Sequence, residues 1–167
     1  MKLLKVFILI IVALLCVFGC KNSKATGDEP VASISGKVIR VIDGDTIKLQ
    51  NKGTMVVHTI RLSGIDAPEK KQAYGREAQL YLSQLIDNKN VVAFVKGKDK
   101  YGRYIARIEH NNIDVNAEMV RAGLAWHYAK FDGNFHYAEL MHDAVGHRRG
   151  LWKDKAPVMP ENFRKKL

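Results

Sequence analysis

Residues 35–49, SGKVIRVIDGDTIKL, contain two runs rich in β-branched residues on either side of Asp43-Gly44-Asp45. Runs of this composition favour β-strands, and an Asp-Gly segment between them favours a tight turn. The pattern predicts one strand over residues 35–42 and a second over residues 46–49. It also places the carboxylate of Asp45 at the start of the second strand.

The rest of the body alternates between strand and helix patterns. Further β-rich runs cover residues 55–62, 91–95 and 104–108, and helical spacing covers residues 76–86, 115–124 and 135–145, with Asp114 as the expected N-cap of the second helix. Five short strands, one inserted helix, two later helices and no βαβ repeat predict an α+β chain. The strands are expected to form a small barrel or a strongly curled sheet.

The N-terminus has the pattern of an export signal. Lys2 and Lys5 precede the apolar residues 6–18, a run shorter than the ~20 residues that a membrane-spanning helix needs. Val17-Phe18-Gly19-Cys20 resembles the lipobox of bacterial lipoproteins. We therefore predict a signal peptide over residues 1–19, lipidation at Cys20 and a flexible tether over residues 20–33. An uncleaved anchor or an ordinary signal peptide is the alternative.

This pattern implies export, with the chain lipid-anchored to the periplasmic or surface face of a bacterial membrane, or else secreted. The only two cysteines, Cys16 and Cys20, lie in this segment. The body of the chain therefore has no disulfide framework, zinc–cysteine cluster or catalytic thiol.

Charge favours an anionic partner. The chain has 27 Lys and Arg against 17 Asp and Glu, a net charge of +10, and only Lys2 and Lys5 belong to the signal segment. The body retains 25 basic against 17 acidic residues, and such a surplus favours nucleic acid or a membrane surface.

Acidic residues at the predicted strand ends point to a cation. Asp45, Asp66 and Glu69 would repel one another if they were clustered, and a hard divalent cation would neutralise them. Arg61 and Arg103 supply the planar guanidinium groups that match phosphate oxygens. Spacing alone does not bring these residues together, and solvated acids in neighbouring turns are the alternative.

Several motifs occur in an order that resembles the staphylococcal nuclease (thermonuclease) family. They are VIDGDTIKL at 41–49, IRL at 60–62, IDAPE at 65–69, YGREA at 74–78, DKYGR at 99–103, VRAGLA at 120–125 and GLW at 150–152. The likeness covers residues 34–153. It implies a five-stranded OB-type β-barrel with three helices, which agrees with the element count. The domain is expected over residues 34–160, followed by a frayed basic tail over residues 161–167.

The resemblance also implies a site. It assigns Ca²⁺ to the carboxylates of Asp45 and Asp66 and the carbonyl of Ala67, although Mg²⁺ uses the same oxygen ligands. It assigns Glu69 as the general base and Arg61 and Arg103 as the two phosphate-binding arginines. It assigns nucleotide binding to Lys100, Tyr101, Trp126 and Tyr128. The loop at residues 70–73 is shorter than in the best-known member, so substrate handling there does not carry over.

The leading hypothesis is a monomeric Ca²⁺-dependent endonuclease that hydrolyses DNA or RNA and leaves 3′-phosphate ends. A non-catalytic OB-type module that binds single-stranded nucleic acid is the first alternative. A membrane-surface adaptor is the second, and it explains the anchor but not the motifs.

Overall fold

The computed structural model describes residues 30–166. The predicted signal peptide, the lipidation site at Cys20 and most of the predicted tether lie outside these residues. None of the helices within residues 30–166 is both long and apolar enough to cross a membrane.

The described residues form eight β-strands, four α-helices and one 3₁₀ helix. They are β1 (Ala32–Val41), β2 (Thr46–Asn51), β3 (Val57–Leu62), β4 (Ile65–Asp66), α1 (Gly75–Ile86), β5 (Asn90–Lys98), β6 (Tyr104–His110), β7 (Ile113–Asp114), α2 (Val115–Arg121), β8 (Trp126–His127), α3 (Phe135–Gly146), a 3₁₀ helix (Gly150–Lys153) and α4 (Pro160–Arg164).

Five strands close into a barrel. Their order is β3-β2-β1-β5-β6, and a parallel pairing of β3 with β6 joins the two edges. Bulges after Val38 in β1 and after Val95 in β5 bend the strands, as closure of a small barrel requires. The predicted α+β class and the five-stranded OB-type barrel are confirmed.

The first strand begins earlier than the sequence pattern indicated. Ala32 and Ser33, assigned to the tether, pair with Val95 and Phe94 in the β1–β5 ladder. The tether boundary at residue 33 is therefore wrong, because β5 provides backbone partners for two residues without a strand-like pattern of their own.

The three predicted helices are all present. The predicted N-cap of α2 is confirmed, since the Asp114 carboxylate accepts a hydrogen bond of 3.0 Å from the Ala117 amide. The apolar stripe of α1 is fully buried at Ala78, Leu82 and Ile86. It belongs to the same core as the inward-facing residues of the barrel, such as Ile47, Leu49 and Ile60.

The predicted frayed tail is wrong, because most of it belongs to α4. The helix begins with Pro160, has Glu161 in its first turn and ends with Arg164, an order that suits the helix dipole. Phe163 is half-buried and lines a cavity of about 220 Å³, together with Pro68, Trp126 and Leu151. Tertiary contacts therefore order a segment too short to be stable alone.

Candidate active site

Strand pairing brings the first carboxylate and the first arginine together. In the β2–β3 ladder, Thr46 lies opposite Arg61, so Asp45, one residue before Thr46, lies beside the arginine. The distance between Arg61 Nη1 and Asp45 Oδ2 is 3.0 Å. The Thr46 hydroxyl donates to Asp45 Oδ1 at 3.0 Å. The barrel register therefore fixes both side chains.

The second carboxylate binds the same guanidinium. Asp66 is in β4, is fully buried, and accepts a hydrogen bond of 2.8 Å from Arg61 Nη2. The amide of Ala67, the next residue, donates to Asp45 Oδ2 at 2.7 Å. The two predicted carboxylate ligands, Asp45 and Asp66, thus lie on the same guanidinium, and the backbone of Ala67 is held beside Asp45 by its amide.

Burial makes these carboxylates dependent on positive charge. Desolvation raises the pKa of Asp45 to about 6, although Arg61 opposes that shift. Desolvation also raises the pKa of Asp66, against the lowering by arginine neighbours. Because charged carboxylates are costly to bury, the two aspartates favour a cationic group between them.

Two glycines allow the close packing of the site loops. A Cβ atom at Gly44 would lie 2.6 Å from Ala67 Cβ and 2.7 Å from Ala78 Cβ, so a side chain there would separate the turn after β1 from Ala67 and from α1. A Cβ atom at Gly75 would overlap the carbonyl of Glu69. The glycine at each position is therefore a packing requirement.

Glu69, the predicted general base, is held in a tight loop. Its carbonyl accepts from the Gln72 amide at 2.8 Å, and its own amide donates to the Gln72 side chain at 3.1 Å. The Glu69 side chain is 37% exposed, so a water molecule or a substrate can approach it.

Arg164 of α4 also contacts the predicted site. Its Nη1 lies 2.8 Å from Glu69 Oε1 and its Nη2 lies 3.0 Å from Asp66 Oδ2. This residue lies within the segment predicted as a tail and was missed. The signals that could have revealed the helix were Pro160 at its start and the acidic and basic residues of its first and last turns.

Arg103 belongs to a separate part of the site. In the described chain it pairs with Asp99 at 2.7 Å and not with the aspartate cluster. Asp99 Oδ1 also accepts from the amides of Tyr101 and Arg103. Burial raises the pKa of Asp99, but these hydrogen bonds outweigh burial and lower it. Asp99 therefore shapes the loop, a role that the motif alone did not reveal.

The four predicted nucleotide-binding residues divide between two regions. Tyr101 is 72% exposed and has the Lys100 ammonium 5.1 Å from its ring centre, an arrangement suited to a base and a phosphate. Tyr128 is half-buried, packs on Phe131 and donates to Glu161 of α4 at 3.0 Å. Trp126 is half-buried and packs edge-on against Trp152, with 4.4 Å between the ring centres.

The oxygen atoms near Arg61 fit part of the shell of a hard cation. Asp45 and Asp66 are two buried carboxylates, and carboxylate oxygens are ligands that Ca²⁺ and Mg²⁺ prefer. Within residues 30–166 no group of three or more His, Cys, Asp and Glu side chains is arranged to hold a metal. That finding is compatible with the predicted set, which contains two carboxylates and one backbone carbonyl. Water or substrate oxygens would complete the shell.

Comparison with known proteins identifies the family. A family model described as staphylococcal nuclease homologue matches residues 59–154, more than half of the chain. An uncharacterised endonuclease of Escherichia coli O157:H7 is 41% identical over 130 residues, which cover 77% of this chain and 84% of that protein. The chain belongs to the staphylococcal nuclease family.

Other members of the staphylococcal nuclease family extend the comparison. An uncharacterised endonuclease of Haemophilus influenzae is 37% identical over 129 residues, covering 77% of this chain and 72% of its own length. A staphylococcal-like nuclease of Arabidopsis thaliana is 40% identical over 106 residues, or 64% of this chain and 33% of its own. The staphylococcal nuclease match includes Arg61, Asp66, Glu69 and Arg103, whereas α4 lies beyond its last residue.

Proposed function

We propose that the chain is a divalent-metal-dependent nuclease that hydrolyses phosphodiester bonds of DNA, with RNA as a second substrate class. The observation that carries this proposal is the convergence of Asp45 and Asp66 on the Arg61 guanidinium, at 3.0 and 2.8 Å. Membership in the staphylococcal nuclease family and the endonuclease names of two relatives support it.

Three charged residues of the proposed site would act directly on the water molecule and the phosphate. Glu69 accepts the proton of a water molecule as the water oxygen attacks phosphorus. Arg61 and Arg103 donate hydrogen bonds to the phosphate oxygens, where negative charge increases in the transition state. The P–O5′ bond breaks and a solvent water molecule protonates the departing O5′, which leaves a 3′-phosphate on one product and a 5′-hydroxyl on the other.

Asp45, Asp66 and the Ala67 carbonyl would hold the metal. Ca²⁺ is the proposed ion, and when bound it would polarise a phosphoryl oxygen and lower the pKa of a water molecule. Lys100 would bind a terminal phosphate, and the exposed ring of Tyr101 would stack on a base. Tyr128 and Asp66 both bind α4, Tyr128 through Glu161 and Asp66 through Arg164. Tyr128 would contact the neighbouring nucleotide. These contacts read no base edge, so the proposed cleavage has little sequence preference.

Metal removal and product analysis test the proposal. Single-stranded DNA with a 5′ label is incubated with the protein in Ca²⁺, in Mg²⁺ and in excess chelator. We expect cleavage in Ca²⁺, loss of cleavage in chelator, and products whose 3′ ends become extendable only after phosphatase treatment. Cleavage that persists in chelator, or 3′-hydroxyl products, would contradict the proposed mechanism.

A matched pair of variants locates the metal ligand. Asp45 and Asp43 lie in the same turn, and Asp43 is less buried and accepts from the Asp45 amide at 3.1 Å. Asp45→Asn is expected to lower the rate at least about 100-fold, since it removes a charged ligand. The cleavage rate of Asp43→Asn is expected to stay within about tenfold of the wild-type rate. If the chain is instead a non-catalytic nucleic-acid-binding module, the wild type and both variants should bind DNA without cutting it. The affinity for DNA should then fall steeply as the salt concentration rises.

The N-terminal segment supports a proposed location. We propose that Cys20 is acylated after cleavage behind Gly19 and that the nuclease is held at a bacterial membrane. Two lysines before an apolar run, followed by a cysteine, support this proposal. Mass spectrometry of the mature N-terminus tests it: an acylated Cys20 is expected, and an unmodified terminus at another residue would refute it.

A further inference from the structure

The C-terminal segment makes polar contacts with three residues of the proposed site. The two terminal nitrogens of Arg164 lie 3.3 and 3.0 Å from the two carboxylate oxygens of Asp66. Arg164 Nη1 also donates to Glu69 Oε1 at 2.8 Å. A third contact joins the Tyr128 hydroxyl to Glu161 Oε2 at 3.0 Å. The helix α4 therefore lies directly over the carboxylates that the proposed reaction uses.

Two further contacts hold the segment in this position. The Gln72 side chain donates to the Val158 carbonyl at 2.5 Å, and the same side chain accepts from the Glu69 amide at 3.1 Å. Phe163, a partly buried residue of α4, lines the same cavity as Pro68 and Trp126. Because the anchor points include the loop of Glu69, the position of α4 is tied to the geometry of the proposed site.

The two arginines on Asp66 are held in different ways. Arg61 takes part in two strand ladders, opposite Thr46 at the end of one and opposite Ile105 in the middle of the other. Arg164 is the last residue of a five-residue helix, and its side chain is 41% exposed, against 15% for Arg61. Arg164 can therefore leave Asp66 without disturbing the barrel, whereas Arg61 cannot move far.

A guanidinium and a divalent cation satisfy the same need of these carboxylates. Asp66 is fully buried and requires a positive neighbour. While Arg164 is bidentate on Asp66 and also bound to Glu69, both oxygens of Asp66 have a hydrogen-bond donor. A cation approaching Asp66 would meet the like charge of Arg164 a few ångströms away, which is unfavourable in a partly buried site.

We propose that Arg164 is the resident counter-ion of Asp66 and Glu69 and competes with the divalent cation, so that docking of α4 sets the cation affinity of the site. This inference rests on the proposed metal-dependent function. The helix α4 lies outside the residues that the family model matches. The inference gives this helix a role in setting the cation concentration at which the site binds the ion. At low cation concentration α4 is docked, and at high concentration Arg164 is displaced from Asp66.

Calorimetric titration of Ca²⁺ into the full chain in detergent tests the competition without any measurement of activity. The variants are Arg164→Ala and, as a matched control, Arg121→Ala, which removes an equal charge from an exposed pair with Glu118 on α2. We expect the dissociation constant for Ca²⁺ to fall about tenfold in Arg164→Ala, because a like charge near the cation is removed. The dissociation constant of Arg121→Ala for Ca²⁺ should stay within about twofold of the wild-type value, since exposed charges are screened.

A conservative variant separates charge from simple packing. Arg164→Lys keeps a positive charge but lacks the planar fork that binds both oxygens of Asp66, so its dissociation constant should lie between those of the wild type and Arg164→Ala. Equal or weaker binding of Ca²⁺ by Arg164→Ala than by the wild type would overturn the competition.

The two proposals fail in different ways. If the wild type binds Ca²⁺ and cuts DNA but Arg164→Ala binds no more tightly, the competition is refuted and the nuclease function stands. If Arg164→Ala binds more tightly while none of the proteins cuts DNA, the competition stands and the nuclease function is refuted. If neither protein binds a divalent cation, both proposals are refuted.

Discussion

Two regions of this molecule each deliver an arginine to Asp66, and they are built in different ways. The β2–β3 hairpin supplies Arg61 from within a closed barrel whose inward side chains are fully buried. The helix α4 supplies Arg164 from five residues held by a few polar contacts and one half-buried aromatic ring. The same chemical group is therefore a fixed part of the fold in one place and a releasable contact in the other.

The difference shows what burial contributes to a functional contact. A side chain fixed by two strand ladders keeps its position whatever binds nearby. A side chain on a short terminal helix depends on its partners, because local opening of such segments costs little free energy. The first arrangement suits a group that must always be aligned with a phosphate, and the second suits a group that yields to a competitor.

Core truncation in each region should have the largest and most unequal effect. Leu49 is fully buried in β2, and Leu49→Ala should lower the free energy of unfolding by about 2–5 kcal/mol. Phe163→Ala, in α4, should cost less than about 1.5 kcal/mol, because the ring is only half-buried and its helix opens separately. Urea unfolding monitored by circular dichroism measures both. Equal losses would mean that α4 is part of the barrel core.

The two arginines should change activity in opposite directions. Arg61→Ala should lower kcat/KM by about 100- to 1000-fold, or about 2.7–4 kcal/mol, because a donor to the developing charge is lost. Arg164→Ala should raise the rate severalfold at Ca²⁺ concentrations well below saturation. Steady-state cleavage of DNA across a Ca²⁺ series measures both effects.

A third arginine provides the control for this comparison. Arg107 lies on β6, pairs with Glu109 at 3.2 Å and stacks on Phe94. Arg107→Ala should change kcat/KM by less than about threefold. A loss as large as that of Arg61→Ala would show that any arginine of the barrel affects cleavage through stability, and a fall in rate for Arg164→Ala would contradict the distinction between the two regions.

The barrel region was predicted from the sequence because its local patterns are strong. β-branched runs around Asp43-Gly44-Asp45 identified the first two strands, and Asp114 identified the start of α2 because its side chain caps the helix. The proximity of Asp45, Arg61 and Asp66 followed only from the family resemblance. Composition and spacing alone do not determine strand register, and the β2–β3 register is what places Arg61 beside Asp45.

The sequence did not predict the region that depends on distant partners. Arg164 and Asp66 are 98 residues apart, and α4 is too short to show helical periodicity. Ala32 and Ser33 likewise become strand residues only because β5 lies beside them. The packing of Trp126 on Trp152 could not be predicted either, because the two residues are 26 positions apart and no local pattern pairs them.

The most direct test of the proposed site concerns its general base. Glu69→Gln keeps the size and shape of the side chain but replaces the proton-accepting carboxylate with a neutral amide, and Glu77→Gln makes the same change at an exposed position of α1. Single-turnover cleavage of single-stranded DNA in saturating Ca²⁺ compares the two variants. We predict that Glu69→Gln is slower than the wild type by about 100- to 10,000-fold and that Glu77→Gln is unchanged. Equal rates for Glu69→Gln and the wild type would contradict the assignment of Glu69 as general base.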